Sequence, residues 1–134
     1  MRGIAGALLL PTLGLSRANA SANRVSDHLL SIFGIVQYVD DVSIKIDIPR
    51  EAEHALFVPF TVTAPDTERL AIFIEEAENP LAMVVDFSDL SGPVVRGTLE
   101  LHQDSTISCY ALRNKQLFKS SRRVRTNISA FPDS

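Results

Sequence analysis

The stretch Val42-Ser43-Ile44-Lys45-Ile46-Asp47-Ile48-Pro49 decides the fold. Its apolar residues recur at every second position with Ser43, Lys45 and Asp47 between them, so an extended backbone would have one apolar face and one wet face. That is the period of a half-buried β-strand, and Pro49 stops it because proline brings no N–H to a ladder. The alternation returns in Leu56, Val58, Phe60 and Val62 around Pro59, which predicts an edge position or a bulge there. Pro65-Asp66 makes the next turn. Leu70-Ala71-Ile72-Phe73-Ile74 is apolar on both faces and reads as a central strand. The turn signals Glu78-Asn79-Pro80 and Ser91-Gly92-Pro93 precede strands from Leu81 to Phe87 and from Val94 to Leu101. Strands from Thr106 to Leu112, Gln116 to Ser120 and Arg123 to Ile128 bring the tally to about eight, with turns every 8–12 residues or so. Two sheets packed face to face bury the apolar faces of such a set, so the expected fold is all-β, an Ig-like antiparallel β-sandwich.

Toward the N-terminus the period changes. Leu29, Leu30, Ile32, Phe33, Ile35 and Val36 follow Ser26-Asp27 at helical spacing, which predicts a short amphipathic helix capped by Ser26 and packed on the body. Before it stand Met1-Arg2, the apolar run Ile4 to Leu10 with Pro11, Leu13, Gly14 and Leu15, and the small-residue run Ala18-Asn19-Ala20-Ser21-Ala22. A positive start, a short apolar centre and A-x-A sites make a signal peptide, cleaved after Ala20 or Ala22, and the apolar run is too short to span a bilayer. The competing reading, a buried amphipathic helix, is weakened by Pro11 and two glycines. The expected organisation is a signal peptide over 1–20, a helical lead-in over 21–40, the sandwich over 41–129 and a short tail over 130–134, in a periplasmic protein.

Composition narrows the chemistry. The chain has 134 residues, 46% hydrophobic and 22% charged, with a single cysteine, which fits one domain and excludes an intramolecular disulfide framework or a cysteine-built cluster. His28, His54 and His102 share no ligand spacing, so neither metal nor cofactor is expected. A net charge of −3 gives no footprint for a nucleic-acid partner, and no membrane contact is expected after cleavage. The sign does change along the chain: residues 21–112 carry five basic and fifteen acidic groups, net −10, and residues 113–134 carry six and one, net +5. Arg123 and Arg125 share a strand face opposite Val124, Thr126 and Ile128, which makes the last strand either a charge-guarded edge or a docking side for an acidic partner. Glu75-Glu76-Glu78 reads as a solvated loop rather than a cation site. A thiol enzyme built on Cys109 and His102 is disfavoured, and no catalytic residue is expected. Cys109 alternates with Ile107 and Ala111 and so points into the core, where a thiol is inert, while His102 ends a strand at the surface.

The phrases Asp47-Ile48-Pro49-Arg50-Glu51-Ala52-Glu53, Val58-Pro59-Phe60-Thr61-Val62, Ile72-Phe73-Ile74 leading to Glu78-Asn79-Pro80, and Val95-Arg96-Gly97-Thr98-Leu99-Glu100-Leu101 stand in one order. In that order and spacing they resemble the SoxY family, the sulfur-carrier subunit of the periplasmic thiosulfate-oxidising Sox system, over about residues 27–131. The resemblance implies an Ig-like sandwich paired with SoxZ, a second Ig-like subunit, with other Sox proteins as further partners. It also implies sulfur held on a cysteine in a C-terminal Gly-Gly-Cys-Gly-Gly arm, where glycines give freedom and a solvated thiolate can react. Laying Val124-Arg125-Thr126-Asn127-Ile128 on the family's last strand puts Ser129-Ala130-Phe131-Pro132-Asp133 over the arm, with Phe131 at the place of the carrier cysteine. The resemblance therefore implies a non-enzymatic SoxY-like partner of a SoxZ-like subunit that does not itself carry sulfur. The alternative is a stand-alone periplasmic Ig-like binding module unrelated to sulfur metabolism.

Overall fold

A computed structural model describes residues 17–87 and 92–126, with side chains from residue 23 onward. The expected signal peptide, apart from its last residues, and the tail with Phe131 lie outside the described residues. Helix α1 (Arg17–Phe33) leads into strands β1 (Tyr38–Asp40), β2 (Lys45–Asp47), β3 (Glu51–Ala52), β4 (Val58–Thr63) and β5 (Arg69–Ile74). Strands β6 (Leu81–Asp86), β7 (Val94–Leu99), β8 (Ser105–Arg113) and β9 (Gln116–Thr126) follow.

The strands form two sheets. The larger has the order β1-β9-β8-β5-β6, with β3 added to the far end of β9; the smaller has the order β2-β4-β7. All long pairings are antiparallel, and only the short strands β1 and β3 run parallel to β9. The core between the sheets takes Ile44, Ile46, Val58, Phe60 and Val62 from one side and Leu70, Ile72, Ile107, Cys109 and Val124 from the other. The alternation read from the sequence is therefore the alternation of the core, as in β4, where Val58, Phe60 and Val62 are buried and Pro59 is exposed. Pro59 faces Thr98 of β7, and β2 has already ended at Asp47 opposite Thr61, so the ladder lacks a strand where the proline lacks a donor. Leu70 to Phe73 are fully buried in a strand flanked by β8 and β6, the central position expected of a doubly apolar run.

The outer face of the larger sheet is covered by α1. Val25 and Leu29, with the half-buried Ile32 and Phe33, pack on Ala71, Phe73, Tyr110 and Leu117. Phe73 meets Tyr110 edge-on at 5.4 Å between centroids. Arg69 joins the layers, donating to the Ile32 carbonyl at 2.7 Å near the helix end and to Asp86 of β6 at 2.6 Å. The helix stops at Gly34, whose φ of +70° lets its N–H reach the Leu30 carbonyl at 2.9 Å. Gly34→Ala keeps the space but strains that backbone, and a loss of about 1 kcal/mol is expected in urea unfolding.

Three expectations are corrected. Ser26 is not an N-cap, because the helix starts nine residues earlier, at Arg17, and Ser26 is one of its exposed interior positions. The strand expected from Val42 is confined to Lys45–Asp47, since Val42, 93% exposed, lies in the turn that carries the chain from one sheet to the other. The two expected terminal strands are one strand of eleven residues, and it is not an edge, since β8 lies on one side of β9 and β1 and β3 lie on the other.

Candidate functional site

The chemistry of this chain turns first on its thiol. Cys109 sits in β8 between Ile72 of β5 and Ser120 of β9, side chain inward with Ile107 and Ala111, and has no exposed surface. Burial pushes the thiol from its ordinary value of 9.0 up to about 12, so it stays protonated at neutral pH and is no nucleophile. His102 is not brought to it: the imidazole lies in the exposed β7–β8 turn, with Nε2 2.8 Å from Glu100 Oε2. Among the described residues no three His, Cys, Asp or Glu side chains group so as to hold a metal ion.

A second arrangement was invisible in the sequence. On the outer face of the larger sheet, beyond the cover of α1, the carboxylates that follow β5 reach across β8 to β9. Glu75 accepts a hydrogen bond from the buried Ser108 hydroxyl, and the same carboxylate oxygen lies 3.5 Å from Lys119 Nζ. Lys119 in turn stands 5.0 Å from the ring centre of Tyr38 and 5.6 Å from that of Tyr110. Burial alone would lower the pKa of this ammonium, but Tyr110, Glu75 and Tyr38 act against it and the net direction is up. Burial is also the main cause that raises the Tyr110 phenol, to about 12. Glu76 accepts from the Thr106 N–H at 2.7 Å and from Arg123 at 2.7 Å. The solvated-loop reading of Glu75-Glu76-Glu78 is thus corrected: Glu78 is exposed, but its neighbours tie a loop to the sheet.

The same contacts change the reading of the basic C-terminal stretch. Arg113 donates to Asp41 at 2.6 Å and lies over the Phe118 ring at 5.1 Å, Lys119 is enclosed, and Arg123 pairs with Glu76. The positive charge is therefore largely spent inside the molecule, and in this stretch only Lys115, Arg122 and Arg125 keep exposed heads without a carboxylate partner among the described residues. Alternation within β9 does hint at the enclosed lysine, because Lys119 shares a face with the buried Leu117, but its aromatic and acidic neighbours come from three other segments.

Strand β9 ends at Thr126, at the pole of the sandwich that also carries the β3–β4, β5–β6 and β7–β8 turns. Asp104 fastens this end, accepting the Thr126 N–H at 2.8 Å and its hydroxyl at 3.2 Å, and these bonds hold its carboxyl below the ordinary range.

The described residues thus form an Ig-like β-sandwich with a helix laid on its larger sheet and the cysteine sealed between the sheets. The family model described as sulfur oxidation protein SoxY matches residues 30–130, and the chain belongs to the SoxY family. Its fold is similar to that of the sulfur carrier protein SoxY from Chlorobium limicola f thiosulfatophilum, with a TM-score of 0.75 and 22% identity, covering 81% of this chain and 96% of that one. The fold is also similar to the superoxide reductase (neelaredoxin) of Ignicoccus hospitalis, at TM-score 0.55, 17% identity, and 63% and 80% coverage. The superoxide reductase of Nanoarchaeum equitans follows at 0.53, 12%, and 66% and 100%. No curated protein matches the sequence. The framework thus serves a carrier protein in one case and enzymes in others, so the fold by itself does not choose the chemistry.

Proposed function

We propose that this chain is an exported SoxY-like subunit of thiosulfate oxidation that pairs with a SoxZ-like Ig subunit, has no catalytic role, and does not hold sulfur on Cys109. The observation that carries the reading is the sealed thiol: a carrier sulfur must reach water and the active sites of partner enzymes, and Cys109 is fully buried in the middle of β8. Phe131 stands where the family resemblance puts the carrier cysteine, so position 131 offers no replacement. Periplasmic export fits the signal-peptide pattern of the first residues, and no described helix is long and apolar enough to cross a membrane. Cleavage after Ala20 or Ala22 would leave Val25, Leu29, Ile32 and Phe33, the packed face of α1, in place. The stand-alone alternative predicts a monomer without an exposed apolar sheet face, whereas Tyr38 and Val39 of β1, whose second side is unpaired among the described residues, are both exposed.

The test is intact-mass spectrometry after incubation with thiosulfate and the Sox enzymes. The expected result is an unchanged mass for this chain beside a sulfur adduct on an arm-bearing SoxY in the same tube. An adduct mapped to Cys109 would overturn the non-carrier reading.

A further inference from the structure

Two sulfur atoms stand among the described residues, in Cys109 and Met83, and the fold treats them differently. The thiol has no exposed surface. Met83, in β6, packs against the core between the sheets but keeps a share of its surface in water. A thioether also reacts without first losing a proton, so an apolar setting does not silence it as it silences a thiol. Of the two, Met83 is therefore the sulfur that an oxidant in solution reaches.

Its place in the fold gives oxidation a structural effect. Strand β6 ends the larger sheet and β7 ends the smaller, and no ladder joins the two, so side chains close this flank of the sandwich. Met83, Val85 and Phe87 turn inward to the core, while Ala82 and Val84 are exposed. Met83 reaches across to β7. A Cβ built on Gly97 would lie 3.7 Å from the Met83 methyl carbon and 3.1 Å from the Phe60 ring, which faces Gly97 in the β4–β7 ladder. The missing side chain at 97 thus makes the hollow in which ring and thioether meet. The contacts there are a phenyl ring and a glycine, neither of which offers a side-chain donor. Sulfoxide formation would set a polar S=O bond at this apolar joint, where it lacks a partner, and the oxidised side chain is better placed by turning out to water. Strand β6 is free to follow, because β5 alone holds it and the β5–β6 register already shifts beside Met83, between Ile72 and Phe73.

We infer that Met83 is an oxidation site, and that its conversion to the sulfoxide by a peroxide loosens β6 and opens the flank between the sheets. The step is a two-electron transfer. A sulfur lone pair attacks one oxygen of hydrogen peroxide, the O–O bond breaks as the S–O bond forms, and the proton on the transferred oxygen passes to the leaving hydroxide, which departs as water. The sulfur is oxidised and the peroxide reduced. The inference concerns this chain alone and stands apart from its pairing and from sulfur carriage.

The test is incubation of the purified chain with hydrogen peroxide at neutral pH, followed by peptide mapping and hydrogen exchange. A gain of about 16 Da is expected on the peptide that carries Met83 and none on the one that carries Cys109. Phe87 donates its N–H to the Glu68 carbonyl, so Val85 and Met83, at period two, also face β5. Their amides should exchange at least about tenfold faster after oxidation, with those of β8 unchanged. The two methionine sulfoxide reductases, one for each epimer, should remove the oxygen and restore the protection. Met83→Leu, close in volume, should gain no mass on that peptide and keep its protection in peroxide; if that variant is unstable, the reductase reversal carries the test. A folded chain whose Met83 gains no oxygen under conditions that oxidise it in urea would overturn the site. Oxidation of Met83 with β6 protection intact, or equal loss of protection in Met83→Leu, would overturn the opening of the flank.

Discussion

Iodoacetamide at pH 8 will alkylate Cys109 in the folded protein at least about a thousandfold more slowly than in denaturant. A rise from 9.0 to about 12 removes that factor from the thiolate population alone, before steric closure is counted. The check is mass spectrometry of timed aliquots with and without urea. Comparable rates in the two conditions would mean that β8 opens readily, and would make Cys109 a possible sulfur acceptor again. The same shift fixes a pH dependence. The unfolded thiol loses its proton from about pH 9 upward and the folded one only near 12, so the unfolded state binds fewer protons in that window and stability falls as pH rises through it. Tyr110 acts in the same direction between its ordinary 10.0 and about 12, and Lys119, also raised, adds its loss above its ordinary 10.5. Urea midpoints are therefore expected to decline above pH 9, with Cys109 alone accounting for up to about 4 kcal/mol by pH 12. A Cys109→Ala protein should be less stable at neutral pH yet lose less on going from pH 8 to 11. A midpoint that holds steady to pH 11 would contradict the sealed core.

Phe73→Ala is expected to cost about 3–5 kcal/mol, several times the loss expected for Gly34→Ala. Phe73 has no exposed surface, meets Tyr110 edge-on at 5.4 Å and lies 6.0 Å from the His28 ring, so it is the residue on which α1 is seated. Removing it leaves a cavity beneath the helix, and the helix should loosen before the sandwich does, since the core between the sheets is a separate cluster. Hydrogen exchange is the discriminating measurement: amides of Val25 to Phe33 should lose protection while those of β4 and β8 keep theirs. Equal loss throughout would mean that helix and sandwich unfold as one unit.

Much of this molecule was legible in its string of residues, because period-two alternation depends only on which side of a pleat a residue faces. Val58, Phe60 and Val62, the doubly apolar Leu70 to Ile74, and the inward direction of Cys109 needed no knowledge of neighbours. The family was legible from several short phrases that stand in one order along the chain. The sequence could not say which strands lie side by side. Lys119 reads as a surface cation until the register sets it against Tyr110 and the fold brings Tyr38 and Glu75 to it from segments far away in the chain. Arg123 reads as part of a charge-guarded edge or docking side until Glu76 is found opposite it. The free edge of β1 exists only because the chain crosses to the other sheet at Val42, a choice made by sheet packing and not by any residue in β1. Local alternation determined what is buried; long-range pairing decided which charges are spent and which surface is left open.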